Sequence, residues 1–274
     1  MNQTTLTTPA ADLTVERVRH TLKLRQLTVQ RVQSLTPHMV RVTLTGEDLA
    51  DFVSASFDDH VKLFLPEPGQ AAVLPTMSEQ GLAFPADAPK PVMRDYTPRR
   101  YDAARRELDI DFVVHASGPA TSWAAQARAG DTLAIGGPRG SFVVPTGFDW
   151  HLLVGDDSAL PAIARRLEEL PATTQAIAVI EVIDARGVLA LASRAATRIV
   201  WLHRDGAARS GLADAVAGLT LPPGEGYAWA AAESTAARDV RRVLVEQHGM
   251  DKKRVRASSY WKQGAVGVHE THED

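Results

Sequence analysis

Near residue 148 the pattern of the chain changes, and nothing else in its 274 residues narrows the fold as much. Before that point, from His20 to about Phe148, short segments alternate apolar with polar residues. They are Leu24 to Val32, Met39 to Thr45, Val61 to Leu65, the stretch around Arg94, Leu108 to His115, Thr132 to Ile135 and Ser141 to Val144. A period of two marks strands with one face buried and the other wet. Six or so such strands, with one helix near 120–128 ended by Gly130, predict a small antiparallel barrel. After residue 148, almost wholly apolar runs at 151–154, 176–183, 198–202, 227–231 and 255–259 alternate with helical segments at 158–170, 211–218 and 234–248. Strands buried on both faces and separated by helices belong to a parallel sheet. The expectation is an α+β chain of two domains, a six-stranded antiparallel β-barrel over 20–147 and an α/β parallel-sheet domain over 148–274. Residues 1–19 read as a flexible polar tail, and Pro66 to Pro91 as a proline-rich surface loop.

Bulk properties exclude several classes. The longest apolar runs are too short to span a membrane, and the first 19 residues lack the basic start and apolar middle of a secretory signal. A formal net charge of -3 argues against general nucleic-acid binding while permitting a local basic pocket. The chain contains no cysteine, which removes disulfides, thiolate nucleophiles and cysteine-ligated iron–sulfur clusters. Any electrons moving through it need an organic cofactor. His269 and His272 stand in a polar terminal stretch and read as solvated, so no metal site is assigned.

The chemistry concentrates in Met93-Arg94-Asp95-Tyr96-Thr97-Pro98-Arg99-Arg100-Tyr101. Pro98 argues against a helix and keeps Thr97 extended. Arg94, Tyr96 and Thr97 are expected on one side of this segment, offering a cation for a phosphate, a flat ring for a heterocycle and a short donor for a ring nitrogen. The same residues also suit an exposed basic edge strand whose charges discourage aggregation. Next, His115-Ala116-Ser117-Gly118-Pro119-Ala120-Thr121-Ser122-Trp123 reads as a strand end running into a helix start. Pro119 fits a first helical position, and Ser117, Thr121 and Ser122 are near enough to cap free amides. A helix N-terminus approached through small residues is a ready anion site. Together the two segments could hold a dinucleotide bearing an aromatic ring system.

Arg-x-Tyr-Thr-x-Arg followed by His-x-x-x-Gly-Pro-Ala-Thr-x-Trp resembles the siderophore-interacting proteins, flavin-dependent ferric-siderophore reductases related to the ferredoxin reductase superfamily. Asp59-His60-Val61-Lys62-Leu63, Gly136-Gly137-Pro138-Arg139-Gly140-Ser141-Phe142, Gly155-Asp156-Asp157-Ser158-Ala159-Leu160-Pro161-Ala162 and Tyr260-Trp261 extend the resemblance, in order, over about residues 20 to 264. It implies FAD on the barrel, with Tyr96 against the isoalloxazine, Thr97 reaching its ring nitrogens, and Arg94 and Arg99 near the ribityl phosphate. The amides of Gly118, Ala120, Thr121 and Ser122 would hold the pyrophosphate with His115 alongside, although His115 also suits a purely structural role. Trp123, at helical spacing, reads as core.

The second domain lacks a Gly-x-Gly-x-x-Gly fingerprint and carries Gly155-Asp156-Asp157-Ser158 instead, which resembles the ferredoxin-reductase type, where NADPH or NADH enters briefly to deliver hydride. Ligands of open parallel sheets bind at the carboxyl ends of the strands. Candidates there are Asp157, Asp184, Arg186, His203, Arg204 and Glu233, with helix capping an equal reading for Asp156 and Asp157. Tyr260 and Trp261 either shield the flavin or plug the sheet edge. Lys62, Arg100 and Arg139 are expected to form a positive docking pocket for an anionic ferric siderophore, Lys62 being equally suited to facing solvent. No side chain is assigned as acid, base or nucleophile. The expected protein is a cytoplasmic monomer that reduces chelated Fe(III). A general flavin- or ferredoxin-linked reductase and a non-catalytic ferric-chelate carrier stand as alternatives.

Overall fold

The structure is a computed structural model that describes residues 12–66, 70, 72–78, 81–85, 91–114, 118–264 and 270–272. The first domain carries strands β1 (Glu16–Arg19), β2 (Leu24–Thr36), β3 (Met39–Thr45), β4 (Val61–Leu65), β5 (Thr76–Ser78), β6 (Gly81–Ala83), β7 (Val92–Tyr96), β8 (Arg100–Asp102) and β9 (Glu107–Val113). Helix α1 (Pro119–Gln126) follows, then β10 (Thr132–Gly136) and β11 (Gly140–Val143). The main sheet is antiparallel, seven-stranded and ordered β7-β4-β10-β2-β3-β9-β8.

Its two outermost strands, β7 and β8, are separated in sequence only by Thr97, Pro98 and Arg99. Four virtual bonds of about 3.8 Å cannot reach across a flat sheet of this width, so the sheet curls until its edges meet. The stretch expected as one strand is thus two, divided where Pro98 removes a ladder donor, and the count rises from six to seven. One apolar interior results, formed by Leu27, Val42, Leu63, Ile110, Phe112 and Leu133 with their neighbours.

The second domain comprises β12 (Trp150–Asp156), α2 (Leu160–Glu169), β13 (Gln175–Val182), β14 (Ala196–His203), α3 (Leu212–Ala217), β15 (Gly226–Glu233), α4 (Ser234–Arg242), β16 (Val255–Trp261) and β17 (Glu270–His272). The sheet order is β14-β13-β12-β15-β16-β17, with the first five strands parallel and β17 an antiparallel edge. Separate apolar clusters cover its two faces, one built on α2 and the other on α3 and α4. Because strand order reverses at β12, the crevice at its carboxyl end is the topological position for a ligand.

Three expectations about irregular segments need correction. Glu16–Arg19 is not loose but pairs with β11, and the carbonyl of Leu13 accepts from Arg254 Nη1 at 3.0 Å. The Pro66–Pro91 stretch includes the β5–β6 hairpin, and the terminal segment supplies β17. All four residues of β1 are exposed, so it is held by ladder bonds and left no burial pattern to read.

Candidate functional site

Strand β7 sets Arg94 and Tyr96 on one face, opposite Leu63 and Val61 of β4. The Tyr96 ring packs on Phe112 with centroids 4.5 Å apart, and burial raises its hydroxyl pKa against the opposing pull of Arg94. Arg94 Nη1 donates only to the neighbouring Met93 carbonyl, at 2.7 Å, and forms no ion pair among the described residues. Thr97 corrects the expectation that all three groups share a side. It lies one residue beyond the strand, where a period of two cannot align it with Tyr96, and it neighbours the Tyr260 hydroxyl, whose ionised form it favours.

Helix α1 begins at Gly118, whose φ of 146° lies where side-chain-bearing residues are strained. Among the described residues no side chain caps its first turn. Thr121 Oγ1 donates instead to the Val113 carbonyl at 3.2 Å, and the Ser122 amide closes onto Gly118 O at 2.8 Å. The expected capping by Thr121 and Ser122 is therefore not made, and among the described residues no side chain accepts from the amides of Ala120 and Thr121. Alongside runs a groove of ≈ 830 Å³ lined by Val92, Gly118, Pro119, Ser122, Trp123 and Thr132 among others. Trp123 thus both packs against Phe112 (5.6 Å between centroids) and lines the groove. His115 and Ser117 lie outside the described residues. A helix start and an Arg94 that no described side chain caps or pairs, beside a groove of ligand size, fit an anionic dinucleotide.

At the carboxyl end of β12, Gly155 is required by space. A Cβ there would lie 2.4 Å from Ala159 Cβ and 2.7 Å from Ala231 O. Asp156 is a structural node: Oδ1 accepts from the Ser158 amide at 2.9 Å, while Oδ2 accepts from the Glu233 amide at 3.0 Å and from Trp261 Nε1 at 2.8 Å. Helix capping, one of the two readings for Asp156, is not what it does: the N-cap of α2 is Ala159 and receives no side-chain bond, while Asp156 ties the turn before it to β15 and β16. Asp157 differs. It is 8% exposed, and burial together with the neighbouring Asp156 charge pushes its pKa up to about 7, partly opposed by Arg204 and an Ile183 amide.

Beside it, Arg204 donates to Glu181 Oε2 at 2.8 Å, and Glu181 Oε1 accepts from the Gly211 amide at 2.7 Å. Glu181 escaped the sequence reading, though a lone carboxylate inside the apolar run 176–183 was a signal. Glu233 caps α4 through the Thr235 amide at 2.6 Å. Asp184 binds Arg186 at 2.6 Å and lies 3.0 Å from His38 Nε2, and the Arg186 hydrogen bonds hold its carboxyl well below the usual range. His203 is exposed at the end of β14.

The two domains meet at the flavin-type motif. Arg165 Nη1 on α2 donates to the Pro98 carbonyl at 3.0 Å and to Ser54 Oγ at 2.8 Å. Arg99, expected near a phosphate, is instead 8% exposed and forked onto Glu168 at 2.9 and 2.5 Å. Tyr260 joins the apolar cluster of the second domain and sits edge-on to Trp229 at 6.1 Å.

The expected docking cations are largely compensated. Lys62 Nζ bonds Asp95 at 2.6 Å directly across the β4–β7 ladder. Arg100 faces three carboxylates, Asp109 at 2.7 Å and Asp102 and Glu107 at 3.3 Å each. Arg139 is exposed and without an ion pair among the described residues.

Two family models match the chain, that of the siderophore-interacting FAD-binding domain over residues 28–142 and that of the siderophore-interacting protein over residues 148–264. The chain is 41% identical over 251 residues to the NADPH-dependent ferric-chelate reductase of Escherichia coli, covering 90% of this chain and 96% of that protein. It is 35% identical over 245 residues to the ferric vibriobactin reductase ViuB of Vibrio cholerae, covering 88% and 90%. Among solved structures, a siderophore utilization protein from T. fusca superposes with a TM-score of 0.85 at 40% identity, covering 93% of this chain and 98% of that one.

Proposed function

The chain belongs to the siderophore-interacting protein family, and from that premise we propose that it is an FAD-dependent reductase of ferric siderophores with NADPH as electron donor. When bound, FAD would supply the redox chemistry that links a two-electron hydride donor to the one-electron reduction of Fe(III), which oxygen chelators hold far more tightly than Fe(II). The protein's own part is position and field. Arg94, the Ala120 and Thr121 amides and the adjoining groove hold the anionic dinucleotide. Tyr96 and Thr97 adjoin its ring system, and Asp157 and Arg204 border the nicotinamide crevice at the end of β12. Arg139 receives the anionic chelate; Lys62 and Arg100 do so only by releasing carboxylates they already hold.

The grip of helix α2 on the motif carries this reading, because Arg165 on the Pro98 carbonyl and Glu168 on Arg99 bring the flavin motif of one domain against the helix that follows β12 in the other. Release of iron inside the cytoplasm is part of the proposal. None of the described helices is long and apolar enough to cross a membrane. The test is optical. The purified protein is expected to be yellow, to bleach anaerobically with NADPH and to regain colour when a ferric siderophore is added. A colourless protein that binds ferric chelate without reducing it would return the assignment to a carrier.

A further inference from the structure

The connection between β7 and β8 is held from outside its own domain. Thr97, Pro98 and Arg99 are all buried, and the last two are gripped by the parallel-sheet domain. Arg165 Nη1 donates to the Pro98 carbonyl at 3.0 Å, Glu168 accepts from both terminal nitrogens of Arg99, and the Tyr260 hydroxyl neighbours Thr97. The barrel's own contributions are the Arg99 amide donating to Asp109 O at 2.9 Å and the Asp111 carboxylate 4.0 Å from Arg99 Nε. Arg165 also reaches Ser54 Oγ and O and is braced by Glu169 at 2.9 Å, so one residue of α2 ties two barrel loops together. A bidentate Arg–carboxylate fork fixes direction as well as distance.

We infer that Glu168 and Arg165 are positioning residues: from helix α2 they set where Thr97 stands, and through Thr97 they tune the flavin held by the barrel. This deepens the reductase reading above and rests on it. Neither residue needs to touch a ligand. Because α2 begins immediately after the β12 turn that carries Asp157, the same short element borders the nicotinamide crevice and grips the flavin motif. The register between electron donor and acceptor is therefore fixed by one rigid helix instead of a flexible hinge.

The experiment uses the full chain loaded with FAD. In Glu168→Ala the visible absorbance band and midpoint potential of the flavin are expected to shift, and the rate constant for flavin reduction by NADPH to fall about tenfold, with the KM for NADPH held within about twofold. Arg165→Met is expected to move the same readouts in the same direction. Glu168→Gln keeps one acceptor oxygen but loses the charge and the second arm of the fork, and is expected to fall between parent and Glu168→Ala. It also supplies the measurement if Glu168→Ala does not fold. Spectrum, potential and rate constant all unchanged in folded variants, with only the melting temperature lowered, would reduce α2 to a structural brace and overturn the inference. A parent protein that takes up no FAD would instead overturn the reductase reading, and this inference with it.

Discussion

Two clusters of buried carboxylates behave in opposite ways. On β9, Glu107, Asp109 and Asp111 alternate with the core residues Leu108, Ile110 and Phe112, and all six are buried. Each of those acids is matched. Arg31 takes Glu107 at 2.9 Å, Arg100 and Thr43 take Asp109 at 2.7 and 2.6 Å, and Arg41 takes Asp111 at 2.6 Å. At the carboxyl ends of β12 and β13, Asp156, Asp157 and Glu181 are equally buried, yet Arg204 on Glu181 is their one ion-pair partner among the described residues. A matched cluster maintains a fold. An undermatched one disfavours folding and persists where a ligand or a reaction needs it. The contrast divides the molecule into a barrel wall built for permanence and a sheet edge kept electrostatically incomplete.

The harshest way to break this contrast is Arg41→Ala. It leaves Asp111 buried with Arg99 4.0 Å away, and the expected loss is about 3–5 kcal/mol in urea unfolding. The opposite sign is expected at the sheet edge. Asp157 titrates near 3.8 in the unfolded chain and at about 7 when folded, so the folded state retains the proton longer and stability falls as pH rises between those values. Asp157→Asn, a mimic of the protonated form, is expected to raise stability on the order of 2 kcal/mol at pH 8. At pH 3.5 that gain should vanish, and NADPH-driven flavin reduction should slow. The same stability difference between the two proteins at pH 8 and pH 3.5 would show that Asp157 does not set this pH dependence. Next in size, Trp261→Phe deletes the donor to Asp156 Oδ2 and should cost about 1 kcal/mol, since the Glu233 amide still serves that oxygen. The smallest effect is Glu47→Gln. Its Arg106 partner is 42% exposed and Glu47 itself 88%, so a midpoint shift beyond roughly 0.5 kcal/mol would be a surprise.

The five parallel strands were readable because double-sided burial writes continuous apolar runs, and α2 and α3 lie within two residues of expectation, while the last helix, expected to reach 248, leaves the α form after Arg242 and runs on as a π-helical turn over Val243–Gln247. Strands held by backbone alone were not; β1 is wholly exposed, and β8 is three residues long. The motif around Arg94 was visible as chemistry, but its partners were not. Asp95 sits inside the same motif, yet its bond to Lys62 depends on a ladder register that only the folded sheet defines. Arg99 and Glu168 are 69 positions apart, and no local period relates them. Reading Arg99 and Arg100 as ligand-facing cations took their charge as evidence of an external anion, where the chain supplies its own.

The first described residues hold a different kind of consequence. Leu13 is bonded to Arg254 and packs, with Val15, into the apolar cluster of the second domain, whereas Glu16–Arg19 zips onto β11 of the first. This leading segment is a seam stitched through both halves, and trimming the gene to begin at Thr21 would unpick it. Such a shortened protein should be nicked by protease near the 144–148 linker while the full chain resists.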